Sequence, residues 1–231
     1  MNLFETILYQ PLLNILVFFY QFLTGKDLGF AIILLTLFIR FLFLPLTFKS
    51  QKSQKEISDF QKEIEEIKLK YKDSKEQAKA LVSFYQEKKL NPFSGFFWVL
   101  IQLPILYALY KVFTQGLQGA EIAKLYSFIR APTQINPFFL GVFDLSKPNI
   151  FFAFLAGVLQ YFQTPPSPIT TKPLKDPMVK ISNLIQKQML YFFSLVTFLF
   201  LLKFPSALAL YWIITSLFSI IFQKIFFKKY A

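Results

Sequence analysis

One basic side chain in this sequence stands where a lipid bilayer makes it costly. Residues 29–48, GFAIILLTLFIRFLFLPLTF, are almost unbroken apolar side chains, and Arg40 lies a little past their midpoint. About 20 residues of helix, at ~1.5 Å per residue, cross a hydrocarbon core ~30 Å thick. A guanidinium there costs roughly 2.5–3.5 kcal/mol on insertion scales, so it faces a partner or a wet cavity rather than lipid. No Asp or Glu falls in the apolar segments of the chain, so the counter-charge is expected to arrive from outside. Thr36 precedes Arg40 by four residues and stacks on the same helical face. Towards the C-terminus Trp212, Thr215, Ser216 and Ser219 share a face by the same spacing, with Tyr211 beside it. Gln102, Gln160 and Gln163 add amides to other apolar segments. Taken singly, each hydroxyl or amide is the ordinary interhelical hydrogen bond of a membrane bundle. Taken together with Arg40 they point to a hydrated groove. The set offers no acid for a coupling cation, no Gly-rich break in a span and no inverted repeat, which argues against a solute transporter.

Other chemistry is excluded by composition. The chain has no His and no Cys, so zinc, haem and iron–sulfur sites lose their usual ligands. Cys and Ser–His nucleophiles, disulfides and a lipidated N-terminal cysteine go with them. No enzymatic activity, cofactor or metal is expected. The 231 residues are 55% hydrophobic with 32 Phe, and the mean hydropathy is +0.46, which places the chain among polytopic membrane proteins. A formal net charge of +12 reads as lysines that hold loops on the cytoplasmic side and touch anionic lipid, rather than as nucleic-acid recognition.

The elements that must position these groups follow from hydropathy and punctuation. Residues 1–27 are expected to form an extracytoplasmic interfacial helix: the apolar run is short after Pro11, and Gln10, Asn14 and Gln21 make one polar stripe. A sixth span starting here is the alternative. The opening MNLFETILYQ carries no basic n-region and does not look like a cleaved signal peptide. The first span is 28–48. Residues 49–91 are rich in Lys, Glu and Gln. Ile57, Phe60, Ile64, Ile67 and Tyr71 stripe one arm of a helical hairpin, and Ala78, Leu81, Val82 and Tyr85 the other. The turn falls at Lys72-Asp73-Ser74. A second span at 92–115 contains Gln102 and Pro104. A loop at 116–148 is expected to hold a short amphipathic helix near 120–128. A third span covers 149–163, and a proline-rich loop covers 164–183. The fourth and fifth spans, 184–203 and 204–223, are separated by a tight turn at Lys203-Phe204-Pro205-Ser206, and a tail follows at 224–231. The hairpin, the proline-rich loop and the tail hold about 18 lysines against about six basic residues in the other loops. Positive residues collect inside, so five spans run with the N-terminus outside and the C-terminus and hairpin in the cytoplasm. The fold class is therefore an all-α polytopic membrane protein with five transmembrane helices, an N-terminal interfacial helix and a cytoplasmic helical hairpin.

Four segments carry a family resemblance. GFAIILLTLFIRFLFLPLTFKSQKSQKEI is similar to the first conserved span of the YidC/Oxa/Alb membrane-protein insertases, with its arginine followed by Leu-Pro. NPFSGFFWVLIQLPILYALYKVF resembles their second span with its Gln-Leu-Pro core. FLGVFDLSKPN resembles the approach to their third, and FPSALALYWIITSLFSIIFQ the start of their last. The resemblance implies a five-span fold with a groove open to cytoplasm and lipid and closed outside. It implies that Arg40 is the groove arginine and Thr36 its neighbour, that Gln163 or Gln160 is the amide of the third span, and that Tyr211 and Trp212 are the aromatic pair of the fifth. The segment before the first span resembles the bacterial form without a large periplasmic domain. The tail is too short for the basic ribosome-binding extension of some relatives.

The function expected is insertion of short-tailed membrane proteins from cytoplasm into bilayer through a hydrophilic groove lined by Arg40, Thr36, Gln102, Gln160, Gln163, Tyr211, Trp212, Thr215 and Ser216. Nascent membrane proteins and the lipid bilayer are the expected partners. The SecYEG translocon, the ribosome and the signal recognition particle receptor are candidates at the cytoplasmic loops. An anion channel or transporter with Arg40 as selectivity charge is the alternative, and it predicts solute flux through a continuous pore. A scaffold docking through the hairpin predicts function without Arg40.

Overall fold

The computed structural model describes residues 2–71, 73–91, 94–116, 124–132, 134–163, 188 and 191–230. The described chain is mostly helical and divides into two compact units, one of Met1–Leu42, Gln102–Thr164 and Gln188–Ala231, the other of Phe43–Ile101 and Pro165–Lys187.

In the first unit a π-helical turn, Glu5–Tyr9, runs directly into α1 (Gln10–Phe22), which carries Pro11 in its first turn. Glu5 draws Lys111 and Lys124 to one carboxylate oxygen at 3.7 and 3.8 Å, and both ammonium groups lie over the buried Tyr9 ring. The polar stripe of α1 does not face water. The Gln10 and Asn14 amides donate to the Lys124 carbonyl, the Asn14 oxygen accepts from the Tyr126 N–H, and Gln21 donates to the Arg130 carbonyl. The stripe thus serves the backbone of the loop at 124–132, whose carbonyl and N–H groups have no regular ladder to satisfy them. It does not reveal which face of α1 meets water. Of the helix expected near 120–128, residues 120–123 lie outside the described residues, and 124–128 are turns and bends rather than an amphipathic helix.

Next comes α2 (Leu28–Leu42), packed on α1 through Phe19 and Phe38. The apolar stretch 28–48, expected as one span, is not one helix. It breaks at Phe43, and a new helix, α3, begins at Leu44 with Pro45 in its first turn. Pro45 has no N–H to donate, and its ring would collide with the carbonyl of Phe41, four residues back, in a continuous helix. Later in the chain come α6 (Ser94–Lys111), which carries Pro104 inside it and closes in a π-helical turn Val112–Gly116, then α7 (Ile150–Gln163), α8 (Tyr191–Leu201) and α9 (Ser206–Tyr230). Residues 202–205 separate α8 from α9. The segment expected as a tail at 224–231 continues α9 as helix to Tyr230, and the proline-rich loop lies outside the described residues. Among the described residues one helix is long and apolar enough to cross a membrane by itself, Ser206–Phe226; α7 and α8 are shorter apolar helices.

Between α6 and α7 a two-stranded hairpin, β1 (Phe138–Phe139) and β2 (Phe143–Asp144), lies against the start of α2. Its turn holds Leu140 and Gly141 at φ 54° and 70° and closes with a 3.1 Å bond from the Val142 N–H to the Phe139 carbonyl. Two positive φ values in a row are the signature of a type I′ turn, in which Gly is at ease and Leu costs about 1 kcal/mol or more. Phe139 covers Gly29, where any Cβ would overlap the ring.

The second unit contains α3 (Leu44–Asp59), α4 (Gln61–Lys70) and α5 (Ser74–Glu87). Asp73 caps α5, accepting from the N–H groups of Lys75 and Glu76 at 2.8 and 3.0 Å. Gln77 clasps the end of α4 by donating to the carbonyls of Lys68 and Tyr71. Phe60 meets Phe84 edge-on at 5.9 Å, with the Lys88 ammonium over both rings. Among the residues of α4 and α5 only Ile64 is buried, at 2% exposed.

Candidate functional site

The polar side chains of the apolar helices converge on α9. Four-residue spacing puts Tyr211, Thr215, Ser219 and Gln223 on one stripe, with Trp212 and Ser216 on the flank. That face packs against both α7 and α2.

Towards α7 the contacts form a ladder. The Trp212 indole donates to the Gln160 side-chain amide oxygen at 2.9 Å. One turn further the Ser216 hydroxyl donates to the Gln163 amide oxygen at 2.8 Å, and the Gln163 amide nitrogen reaches the Ser219 hydroxyl at 3.4 Å. The Ser219 hydroxyl in turn donates to the Thr215 carbonyl. A last rung runs from the Gln223 amide to the backbone carbonyl of Gln163 at 2.9 Å, past the final turn of α7. Both glutamines expected as alternatives for one role therefore engage α9. Gln160 takes the indole, and Gln163 takes two hydroxyls and shares its own carbonyl. At the start of the same stripe the Gln102 amide of α6 donates to the Tyr211 hydroxyl.

Towards α2 the seam meets the cation. Arg40 is 2% exposed, and Tyr211 is near enough to act electrostatically on its guanidinium. Phe41 and Phe218 meet edge-on at 5.6 Å beside it. Thr36, fully buried, spends its hydroxyl on the Ile32 carbonyl of its own helix at 2.6 Å, so it contributes a small polar surface rather than a cross-helix bond. The Thr215 hydroxyl is buried and has no hydrogen-bond partner among the described residues.

The structure thus draws Gln102, Gln160, Gln163, Tyr211, Trp212 and Ser216 into direct interhelical bonds and sets Arg40 and Thr36 on the helix facing them. Four of these eight groups are closed off from solvent, Ser216 and Thr36 at 0% exposed, Tyr211 at 1% and Arg40 at 2%, while Gln102, Gln160, Gln163 and Trp212 are partly exposed. Gln223 joins the site although it lies at the edge of the apolar stretch, where a polar residue looks like a boundary. The signal that finds it is the continued spacing from Thr215 through Ser219. Among the described residues no cluster of acidic side chains could hold a metal ion.

Comparisons with known proteins bear on this arrangement. The family model described as the 60Kd inner membrane protein matches residues 18–231. A membrane protein insertase YidC of Geobacter metallireducens is 31% identical over 225 residues, which cover 96% of this chain and 37% of that protein. One from Fusobacterium nucleatum is 32% identical over 206 residues, covering 89% of this chain and 88% of that protein. A crystal structure of an active YidC insertase with its first transmembrane domain resolved superposes with a TM-score of 0.61 at 26% identity, covering 96% of this chain and 46% of that one. The chain thus spans less than half the length of several relatives it matches.

Proposed function

The chain belongs to the YidC/Oxa/Alb family of membrane-protein insertases, and on that premise we propose that it passes short-tailed membrane proteins from the cytoplasm into the bilayer without covalent chemistry. One observation carries the reading: the buried cation on α2, Arg40, faces the polar seam of α9 among helices that are otherwise apolar. A cation held there at a cost of roughly 2.5–3.5 kcal/mol is a standing attraction for an acidic or polar segment that has to cross. The ladder between α7 and α9 offers hydroxyls and amides that can exchange partners with such a segment, which lowers its desolvation barrier. The client's apolar helix then slides into lipid, and burial there drives release. The protein is multi-pass in this reading, with five spans, an N-terminal interfacial helix, the N-terminus outside and the C-terminus in the cytoplasm. The α4–α5 hairpin and the proline-rich loop are the faces offered to the SecYEG translocon, the ribosome or the signal recognition particle receptor.

The test is insertion of matched acidic-tail and neutral-tail single-span clients into liposomes by wild type, Arg40→Lys, Arg40→Ala and Arg40→Glu at equal protein levels. Arg40→Lys should keep much of the activity, because a charge that meets varied segments needs no fixed fork geometry. Arg40→Ala and Arg40→Glu should lose it, the acidic-tail client most severely. Equal losses for both clients would reduce Arg40 to a prop of the seam. Full activity of Arg40→Glu would remove the electrostatic mechanism.

A further inference from the structure

The β1–β2 hairpin ends in an apolar tip at a position where turn chemistry favours polar residues. Both central residues of its turn have positive φ, and such turns ordinarily take Asn, Asp or Gly at the first of them. This chain has Leu140 there, 57% exposed, followed by Gly141 and by Val142, 70% exposed. A leucine in a strained backbone conformation, with more than half of its surface left outside the fold, recovers little of that cost by packing on its own molecule.

The hairpin is not a loose loop. The Leu140 N–H donates to the Asp27 carboxylate at 2.7 Å, just before α2 begins. Phe139 lies over Gly29 and meets Phe30 edge-on at 5.4 Å, and Phe143 meets Phe152 in the first turn of α7. Past the hairpin, the carbonyls of Leu145 and Lys147 accept from the Ala207 and Ser206 N–H groups and so satisfy the start of α9. The strands are thus bound to the end of the bundle where α2, α7 and α9 all begin. The exposed face of α7 continues the apolar surface from there through Ile150, Phe151 and Phe154. Charged groups, Lys26, Asp144 and Lys147, are set around the hairpin at the same end.

We infer that the Leu140–Val142 tip is a membrane anchor, immersed at the headgroup–acyl boundary of the outer leaflet and continuous with the lipid face of α7. The occupant is phospholipid. An apolar tip ringed by charge and fixed at the level where the helices start fits the interface, where apolar groups enter the acyl region and charges stay among the headgroups. The anchor would hold the outer end of the bundle in register with the leaflet while segments move past the α9 seam. The inference rests on the proposed transmembrane reading of this bundle, with the starts of α2, α7 and α9 outside.

The chain lacks cysteine, so single-cysteine variants carry one fluorophore without background. The full chain is reconstituted into phosphatidylethanolamine–phosphatidylglycerol vesicles with an environment-sensitive dye at Val142→Cys, Lys147→Cys or Phe154→Cys. Quenching is read with lipids brominated near the headgroup and with aqueous iodide. The dye at 142 should be quenched at least twofold more by brominated lipid than the dye at 147, and at least twofold less by iodide. Adding Leu140→Asn to the Val142→Cys variant relieves the turn, so thermal stability should hold or rise while lipid quenching at 142 falls by about half. Quenching at 154 but not at 142 would overturn the anchor and leave the membrane reading standing. Quenching at neither would overturn the membrane reading itself. A dye at 142 shielded from both iodide and lipid would mean a protein partner or a second copy covers the tip, which also overturns the inference. Unchanged lipid quenching at 142 with Leu140→Asn would overturn the role given to Leu140.

Discussion

The α7–α9 pair and the α4–α5 pair are both helix pairs, but they are held together by different means. The two helices α7 and α9 pack on each other, bury Ala153, Ala156, Leu208 and Ile213, and are joined by side-chain rungs at Trp212, Ser216 and Gln223. Gly157 lets α8 come close to α7: a Cβ there would sit 3.0 Å from Phe198 and 3.1 Å from the Ser194 carbonyl. Between α4 and α5 there is Ile64, one edge-on aromatic pair and a capped turn, on a surface of Lys, Glu and Gln. Stability is distributed to match, because local opening costs least where little apolar surface is buried. The difference teaches that this chain puts its specificity into the bundle and leaves the hairpin free to yield.

The same substitution in the two regions is the sharpest probe of that contrast. Leu208→Ala in the bundle should cost about 2–5 kcal/mol, the range for emptying a packed site, and should lower the thermal midpoint in bilayers. Ile64→Ala should leave that midpoint in place and show only as faster amide exchange in α4 and α5. Equal global losses would break the comparison. Deleting residues 54–87 behind a short linker should be felt less by the fold than by function: the bundle stays assembled while client insertion weakens. A deletion that prevents assembly in membranes would make the hairpin a structural pillar. Smaller still, Gln163→Ala removes the side-chain rung to Ser216 and Ser219 and should cost about 1 kcal/mol, since interhelical hydrogen bonds in membranes are individually modest. Reversible unfolding in mixed micelles would measure it, and a loss above that of Leu208→Ala would put the polar ladder ahead of packing.

The smallest effect concerns the loop after the β-hairpin. The Ser146 hydroxyl and the Lys147 ammonium, by hydrogen bonding and charge, hold the Asp144 carboxyl below its ordinary value. A carboxyl whose folded pKa is lowered stabilises the fold above its unfolded pKa and loses that contribution as pH falls through the folded one. Exchange at the Ser146 amide should therefore quicken below the ordinary carboxyl range, and Asp144→Asn should abolish that pH step.

Much of this was legible in the residues because it depends on short separations. The stripe of Thr215, Ser216 and Ser219, the pairing of Thr36 with Arg40 on one face, and the turn at Lys72-Asp73-Ser74 before the second arm all lie within a few positions. Helical periodicity or turn chemistry reads them directly. The break at Phe43 was within reach for the same reason. Pro45 lies two residues past the break, and its ring and missing N–H are local signals set inside an apolar run.

Composition and periodicity by themselves determined that this is a largely helical membrane protein, which side chains share a face, and that one buried cation needs an explanation. Tertiary structure alone decided who meets whom. It gave the Gln160 amide to Trp212 and the Gln163 amide to Ser216, turned the polar stripe of α1 onto the backbone at 124–132, and laid Phe139 over Gly29. The physical reason is that a helix fixes the angle between its own side chains at every step of the chain. The partner across the seam is chosen by packing among segments tens of residues apart, and each amide or hydroxyl bonds whichever group that packing brings within about 3 Å.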